Sequence, residues 1–542
     1  MATDAQTAQY PRPDASVPQA ADAVRCERVR SALSAAHYND EGITRSLGVS
    51  QLSGLRDRRL PALLRRLRGG SPLQTLIRTF VLGQAAEAAT FARAVAPSDI
   101  EDWIALGLLE SAGAEVRPAV QLRCYQDLVL AYDFARAGEG GVRPDYVMGV
   151  SPSSLMLISM TVRRPARATL DLGAGCGIQA LLAARHSERV VGVDCNPRAV
   201  AMARFNAGFN CIANVEFRLG DMFAPVAGET FDLIVSNPPF IISPDFRHMF
   251  LNSGSESDDA SRRVVQEAPR YLSEGGYCIL NANWAAIEGE DWKTRLADWF
   301  AGNGCDGLVL QLDTTELDRY AAMLIQASEQ SPEEFARAFE AWMDYYAERR
   351  ITGICAGVIA MRRAGGRANG DSLGMSRAER ASPAGNRRPA TERPAGATQT
   401  KSGRATWFAV ESGPVDIAVA SGADVERLFG LRTWLHACDD AGLLEARLRL
   451  AANVRLEQIC AAEAGAWKPV GMHLRRVGAI GFTGSIDAHG AALLARCDGV
   501  RPVREHLAAL AAALETDLAA ITPAALATIR RLVEQGFLEP AA

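Results

Sequence analysis

Two short stretches hold the residues most able to do chemistry. The first is Asp171-Leu-Gly-Ala-Gly-Cys-Gly177, which follows the apolar run Ala168–Leu172 and leads into a helical pattern from Ile178. Glycines at this junction let the chain turn sharply and let a ligand approach the backbone. The second is Asn237-Pro-Pro-Phe240, which follows the apolar run Phe231–Ser236. Pro-Pro could simply stop a strand. An asparagine in front of it adds an amide that can hold another planar nitrogen group.

The glycine spacing is G-x-G-x-G, not the G-x-G-x-x-G of nicotinamide enzymes. Asp171 would repel the phosphates of a dinucleotide, whereas it suits a cationic ligand. S-adenosylmethionine carries an amino group and a sulfonium and no phosphate, so it fits that charge. Gly173, Ala174, Gly175 and Gly177 would form the turn around it. Asp194 ends the next strand pattern, 23 residues on, and can accept from both ribose hydroxyls. Cys195 or Asn196 would line the adenine. Asp221 follows a third strand and could accept from the adenine amino group, with Met222 packing on the ring. Each acid alone reads as a surface or capping residue. Three at successive strand ends, beside a glycine turn, read as one ligand site.

A nitrogen on a planar amide or base is a poor nucleophile, because its lone pair is delocalised. The Asn237 side-chain oxygen and the Pro238 carbonyl can each accept one of its N–H bonds. Phe240 can stack on the planar group. Asn237 would also border the cofactor. Catalysis is then mainly orientation, with preorganised acceptors for the charge developing on nitrogen. No general base is needed before attack, since the proton can leave afterwards.

These residues need a scaffold. Strand patterns at Ala168–Leu172, Val190–Asp194, Val215–Leu219, Phe231–Ser236, Tyr277–Leu280 and Ile351–Arg362 alternate with helix patterns at Ile178–His186, Pro197–Phe209, Ala260–Leu272 and Pro332–Arg349. Such alternation predicts a parallel, doubly wound sheet. Before it, residues 25–142 read as mostly helical, with helices over Leu73–Leu82 and Ile100–Leu109 followed by β-like segments Glu110–Val116 and Pro118–Leu122. That order fits a winged helix or, equally, a helical cap. Residues 1–24 read as a disordered tail and 363–404 as a disordered linker rich in Gly, Arg, Ala, Ser and Pro. Residues 405–542 read as a small α-rich accessory domain, in which Gly536-Phe-Leu538 echoes Gly107-Leu-Leu109.

The chain has 542 residues and a net charge of -5, which gives no general attraction to nucleic acid. Arg56-Asp-Arg-Arg59 with Arg65, Arg66 and Arg68 is a local basic cluster, or a solvated helix face. The 11 cysteines form no C-x-x-C pair and no Cys/His cluster of zinc spacing, so no metal is expected. No signal-like or membrane-spanning run is evident, and a cytoplasmic chain with no membrane partner is expected.

Asp171–Gly177, Asp194, Asp221 and Asn237–Phe240 together resemble the motifs of class I S-adenosylmethionine-dependent methyltransferases of the HemK-like group. The resemblance covers residues 143–362. It implies a seven-stranded, mostly parallel Rossmann-like sheet, S-adenosylmethionine as cofactor, and methylation of a planar nitrogen. That nitrogen is a protein or peptide side chain such as glutamine or, alternatively, an exocyclic amino group of guanine or adenine in RNA or DNA. Met148–Ser153 sits where such enzymes cover the cofactor, without the Arg-Pro-x-Glu usual in glutamine enzymes. Phe240 replaces their tyrosine and is more common in the guanine branch. A non-catalytic cofactor sensor would not need the Asn237 clamp, and a nicotinamide oxidoreductase would need the other glycine spacing.

Overall fold

The structure is a computed structural model and describes residues 17–49, 60–134, 143–244, 257–325, 331–365, 406–412, 415–416, 420–463 and 465–541. It contains two compact units. The first holds the described residues up to 158, together with 164–292 and 314–356; the second holds 159–163, 293–313 and those from 357 on.

The central sheet has eight strands: β1 Ala166–Leu172, β2 Ser187–Asp194, β3 Val215–Leu219, β4 Phe231–Ser236, β5 Leu272–Ile287, β6 Cys305–Thr315, β7 Ile351–Arg363 and β8 Phe408–Ser412. Their order is β8-β6-β7-β5-β4-β1-β2-β3. In the first unit β1 to β5 pair in parallel, with Asp171 in register with Gly192 on one side and Val235 on the other. The chain therefore winds outward in both directions from β1. The crevice at the carboxyl ends of β1 and its neighbours is where open α/β sheets bind ligands. The expected mostly parallel, doubly wound sheet is present with one strand more than expected. The eighth is Phe408–Ser412, which pairs in parallel with β6 and which sequence pattern assigned to the accessory domain.

Burial explains why these strands form. Leu170, Leu172, Val190, Val191, Val193, Ile234 and Val235 are all buried, and each such side chain contributes about 1.5–3 kcal/mol. Helix Pro197–Phe209 starts at Pro197, with Asn196 as N-cap accepting from the Arg198 N–H, and it is buried nearly all round. The helix expected over Ala260–Leu272 stops earlier. It spans Asp259–Glu267, Pro269 then falls in a single 3₁₀ turn, and Leu272 already opens β5. β6, helix Trp292–Phe300 and helix Leu317–Ile325 had no counterpart in the pattern.

In the N-terminal region, Asp22 caps helix Ala23–Ala35, Val17 is buried, and the Gln19 N–H donates to the Leu106 carbonyl. Residues 17–24 are thus ordered, contrary to the expected tail. The rest of that tail, Arg56–Arg59 and most of the 363–404 linker lie outside the described residues. Helices Ala88–Val95 and Ile100–Ala105 precede a hairpin, Leu109–Ala112 with Glu115–Pro118, to which Ala86–Glu87 adds a third strand. The β-like segment expected over Pro118–Leu122 instead opens a second hairpin, Gln121–Tyr125 with Leu128–Tyr132.

Among the described residues, the C-terminal region holds two small sheets besides its helices. One contains the long hairpin Val454–Glu463 and Ala466–Arg476; the other joins Arg447–Leu450, Asp498–Pro502 and Leu538–Pro540. Gly107 and Gly536 make the same turn, each left-handed (φ 75° and 74°) between a helix and a strand.

Candidate active site

The turn after β1 is built by three left-handed glycines, with φ 79°, 54° and 85° at Gly173, Gly175 and Gly177. The Gly173 and Ala174 N–H groups both donate to the Val193 carbonyl, at 2.9 and 3.0 Å. The glycines differ in purpose. A Cβ on Gly175 would meet nothing within 4 Å, whereas one on Gly177 would press on Ala203 and Phe217 at 3.1 Å. Gly175 therefore opens the backbone to a ligand, and Gly177 lets the following helix pack.

Asp194, at the end of β2, ties this turn to its neighbour. Its Oδ2 accepts from the Gly175 N–H and its Oδ1 from the Asn196 N–H, both at 2.8 Å. Burial raises its pKa, partly offset by those amides. Beyond β3, the Gly220 N–H donates to the Asp194 carbonyl at 3.0 Å. Met222 is left-handed (φ 47°). Asp221 is exposed and meets Arg263 at 3.2 Å.

Asp171 departs from expectation. It is 1% exposed and does not line the crevice. Its Oδ2 accepts from the Ala180 N–H at 2.9 Å and so anchors the helix behind the turn, while its buried Oδ1 has no partner among the described residues. Burial pushes this carboxyl up to about 7. As an inward residue at the carboxyl end of β1, it shapes the turn from behind.

The tetrad leaves β4 beside this turn. The Asn237 Oδ1 accepts from Asn281 Nδ2 at 2.8 Å, and the same Nδ2 donates to the Ser153 carbonyl at 2.8 Å. Asn237 Nδ2 in turn donates to Ser153 Oγ at 3.3 Å. Asn281 thus fixes which face of the Asn237 amide carries the acceptor, and a carbonyl oxygen keeps a second lone pair for another donor. Sequence pattern missed Asn281, because asparagine is depleted in strands and the fifth strand was ended at Leu280. Its signal was a polar residue inside an apolar run. Past the tetrad, Ile242 is held at both backbone groups: its N–H donates to Tyr320 Oη at 3.3 Å, and its carbonyl accepts from Tyr346 Oη at 2.9 Å. Asn283 Nδ2 donates to the same Tyr320 Oη at 3.1 Å.

The segment around Met148 is held from below. The Val147 N–H donates to Asp133, which also forms a buried ion pair with Arg198 at 2.7 Å. Asn196 Nδ2 donates to the Asp145 carbonyl at 2.9 Å.

These elements enclose a crevice of about 370 Å³, lined by Tyr146–Gly149, Leu172–Cys176, Asp194–Asn196, Gly220–Met222 and Ser236–Pro239 among others. Of the sequence-predicted residues, the structure brings together Gly173, Ala174, Gly175, Asp194, Cys195, Asp221, Met222, Asn237 and Pro238. Asp171, Gly177 and Phe240 are not in the lining. The lining carries two carboxylates and no basic side chain. That disfavours a phosphate-bearing cofactor and fits a cationic one. The volume is within the range of small-molecule sites. The bare backbone at Gly175 and the Asp194 carboxylate fit an adenosine-bearing ligand.

The family model described as methyltransferase small domain matches residues 148–288. Residues 35–119 and 426–540 each match a model described as a domain of unknown function. A release factor glutamine methyltransferase of Geobacter sulfurreducens is 34% identical over 188 residues, 30% of this chain and 66% of the relative. A Methanocaldococcus jannaschii protein, named as a candidate protein N5-glutamine methyltransferase, is 31% identical over 144 residues, 25% of this chain and 71% of its own length. A ribosomal RNA small subunit methyltransferase C of Alcanivorax borkumensis is 34% identical over 134 residues, 24% of this chain and 37% of the relative. The chain spans about half to two thirds of the length of the first curated relatives it matches. No helix among the described residues is long and apolar enough to cross a membrane. With a glycine turn, an Asp194 carboxylate and an oriented Asn237 set around one crevice, and with these relatives, the chain belongs to the class I S-adenosylmethionine-dependent methyltransferases of the HemK-like group.

Proposed function

We propose that this chain methylates a planar side-chain amide of a protein or peptide, with glutamine the first candidate. The observation that carries the reading is the Asn237 amide at the crevice, its oxygen oriented by Asn281 at 2.8 Å. Gly173–Gly175, Asp194, Cys195, Asp221 and Met222 would hold S-adenosylmethionine, which when bound supplies an electrophilic methyl group. Asn237 Oδ1 and the Pro238 carbonyl accept the two N–H bonds of the acceptor amide. That hold fixes the nitrogen and favours a localised lone pair. Phe240, next in the chain to the lining rather than part of it, would stack on the plane of the acceptor. The two carbonyl oxygens stabilise positive charge as it develops on nitrogen, and the surplus proton then leaves to solvent. The relatives named for glutamine support a protein acceptor.

A second reading, an exocyclic amino group in RNA or DNA, is favoured by Phe240 in place of tyrosine and by the relative named for ribosomal RNA. One experiment separates them. Labelled methyl groups from S-adenosylmethionine are transferred into a cell extract, which is then treated with protease or nuclease. Label released by protease and retained after nuclease supports the amide reading; the reverse refutes it. Asn237→Ala should reduce turnover at least about a hundredfold with cofactor still bound. Retained turnover would remove the amide clamp.

A further inference from the structure

The second unit gathers three arginines, Arg427, Arg449 and Arg476, near the carboxylates of Glu539 and Asp424. Arg427 donates to Glu539 Oε2 through Nε and Nη2, at 3.1 and 3.0 Å, and through Nη2 to the Gly536 carbonyl at 2.9 Å. Arg449 takes the other oxygen of Glu539 at 3.0 Å. Arg476, the last residue of the strand Ala466–Arg476, is 8% exposed, and no carboxylate among the described residues forms an ion pair with it. Its Nε and Nη1 are buried without a hydrogen-bond partner among the described residues, and so is Arg427 Nη1. Asp424, which also acts on Arg476, already accepts from the N–H and hydroxyl of Ser421 at 3.0 and 2.9 Å. Three guanidiniums against the two carboxylates of Glu539 and Asp424 leave a surplus of one positive charge.

The unpartnered nitrogens converge. A Cβ on Gly536 would lie 2.8 Å from Arg427 Nη1 and 3.3 Å from Arg476 Nη1. Gly536 is also left-handed, so a side chain is disfavoured there on two counts. Burial and the neighbouring Arg427 charge hold Arg476 below the usual guanidinium range. A buried, unpaired guanidinium is strongly disfavoured unless an anion completes it. Guanidinium forks suit phosphate oxygens, and the surplus positive charge favours an anion.

We propose that Arg427 and Arg476, converging on bare Gly536, form a binding site for the phosphate group of a small molecule. The site lies in the C-terminal unit and is independent of methyl transfer.

The test is calorimetry on the full chain with inorganic phosphate, against acetate and chloride at matched ionic strength. Saturable phosphate binding at one site is expected, with neither acetate nor chloride competing at equal concentration. Arg476→Met should weaken phosphate binding at least about tenfold and leave S-adenosylmethionine affinity unchanged. Because it removes a buried unpaired charge, it should melt no lower than the parent in phosphate-free buffer. Arg427→Met provides an independent second variant with the same expected loss. Phosphate acting no differently from chloride on the parent chain overturns the proposal. So does acetate binding as tightly as phosphate, or either variant binding phosphate like the parent.

Discussion

Asp171→Asn should change how the turn of the cofactor crevice responds to pH. Asp171 is 1% exposed, its Oδ1 lacks a partner, and burial raises its pKa from 3.8 to about 7. The Ala180 N–H works against that rise, and the Asp194 charge adds to it. The native state therefore keeps a proton that the unfolded state gives up between those two values. The native pKa is the higher one, so this carboxyl is least harmful below pH 3.8, and stability falls as pH rises through about 7. A shift of about three units corresponds to about 4 kcal/mol. Asparagine carries no charge, and its Oδ1 can keep the Ala180 N–H. Its NH₂ would sit where Oδ1 has no partner, at a cost of about 1–3 kcal/mol. The variant should then gain about 2–3 kcal/mol relative to the parent between pH 5 and pH 8. Hydrogen exchange of peptides covering Ala180, read by mass spectrometry as a ratio of variant to parent at each pH, measures this directly, since intrinsic exchange rates cancel. A ratio that stays constant across that range would refute the argument that Asp171 is buried against its own charge.

Two further outcomes follow from the site. Asn281→Ala frees the Asn237 amide to rotate; kcat should fall about 10–100-fold with the Kd for S-adenosylmethionine within about twofold, and Asn281→Gln should restore little because its longer arm misplaces the donor. A matched loss in cofactor affinity would show Asn281 to be merely structural. Asp194→Ala removes the acceptor at the end of β2 and releases the Gly175 N–H; cofactor affinity should drop at least about tenfold, and unchanged affinity in calorimetry would dismiss the ribose role.

Much of the site was legible because its residues sit where local rules apply. Glycines at a strand-to-helix turn, a proline at a helix start and Pro-Pro after a strand are signals carried by single residues. The ends of Pro197–Phe209, Val215–Leu219 and Phe231–Ser236 in the structure are those the pattern predicts. Orientation was not legible: Asp171 reads as a ligand and faces inward, because nothing in its neighbours encodes which face of β1 it joins. Asn281 and Tyr346 act across 44 and 104 residues of chain, a separation no local pattern spans. The hairpin Val454–Arg476 was missed for a different reason. Its strand Val454–Glu463 is exposed along nearly its whole length, so it lacks the apolar alternation that marks a half-buried strand.

The helix Pro197–Phe209 has one more consequence. Asn206 Oδ1 accepts from the Ala131 N–H at 2.8 Å, and its Nδ2 donates to the carbonyls of Ala131 and Cys176 at 2.9 and 2.8 Å. One helical turn on, Asn210 makes the same pair of bonds with Val129, at 2.9 and 2.8 Å. Two amides four apart on a helix thus copy the hydrogen-bonding edge of a missing strand and cap the outer edge of the hairpin Gln121–Tyr132. Because one of them also grips Cys176, inside the glycine turn, the hairpin is a splint for the cofactor crevice. A shortened chain beginning at residue 143 would leave both amides without their partners on the hairpin, so its crevice should be softer and its affinity lower even though every lining residue remained.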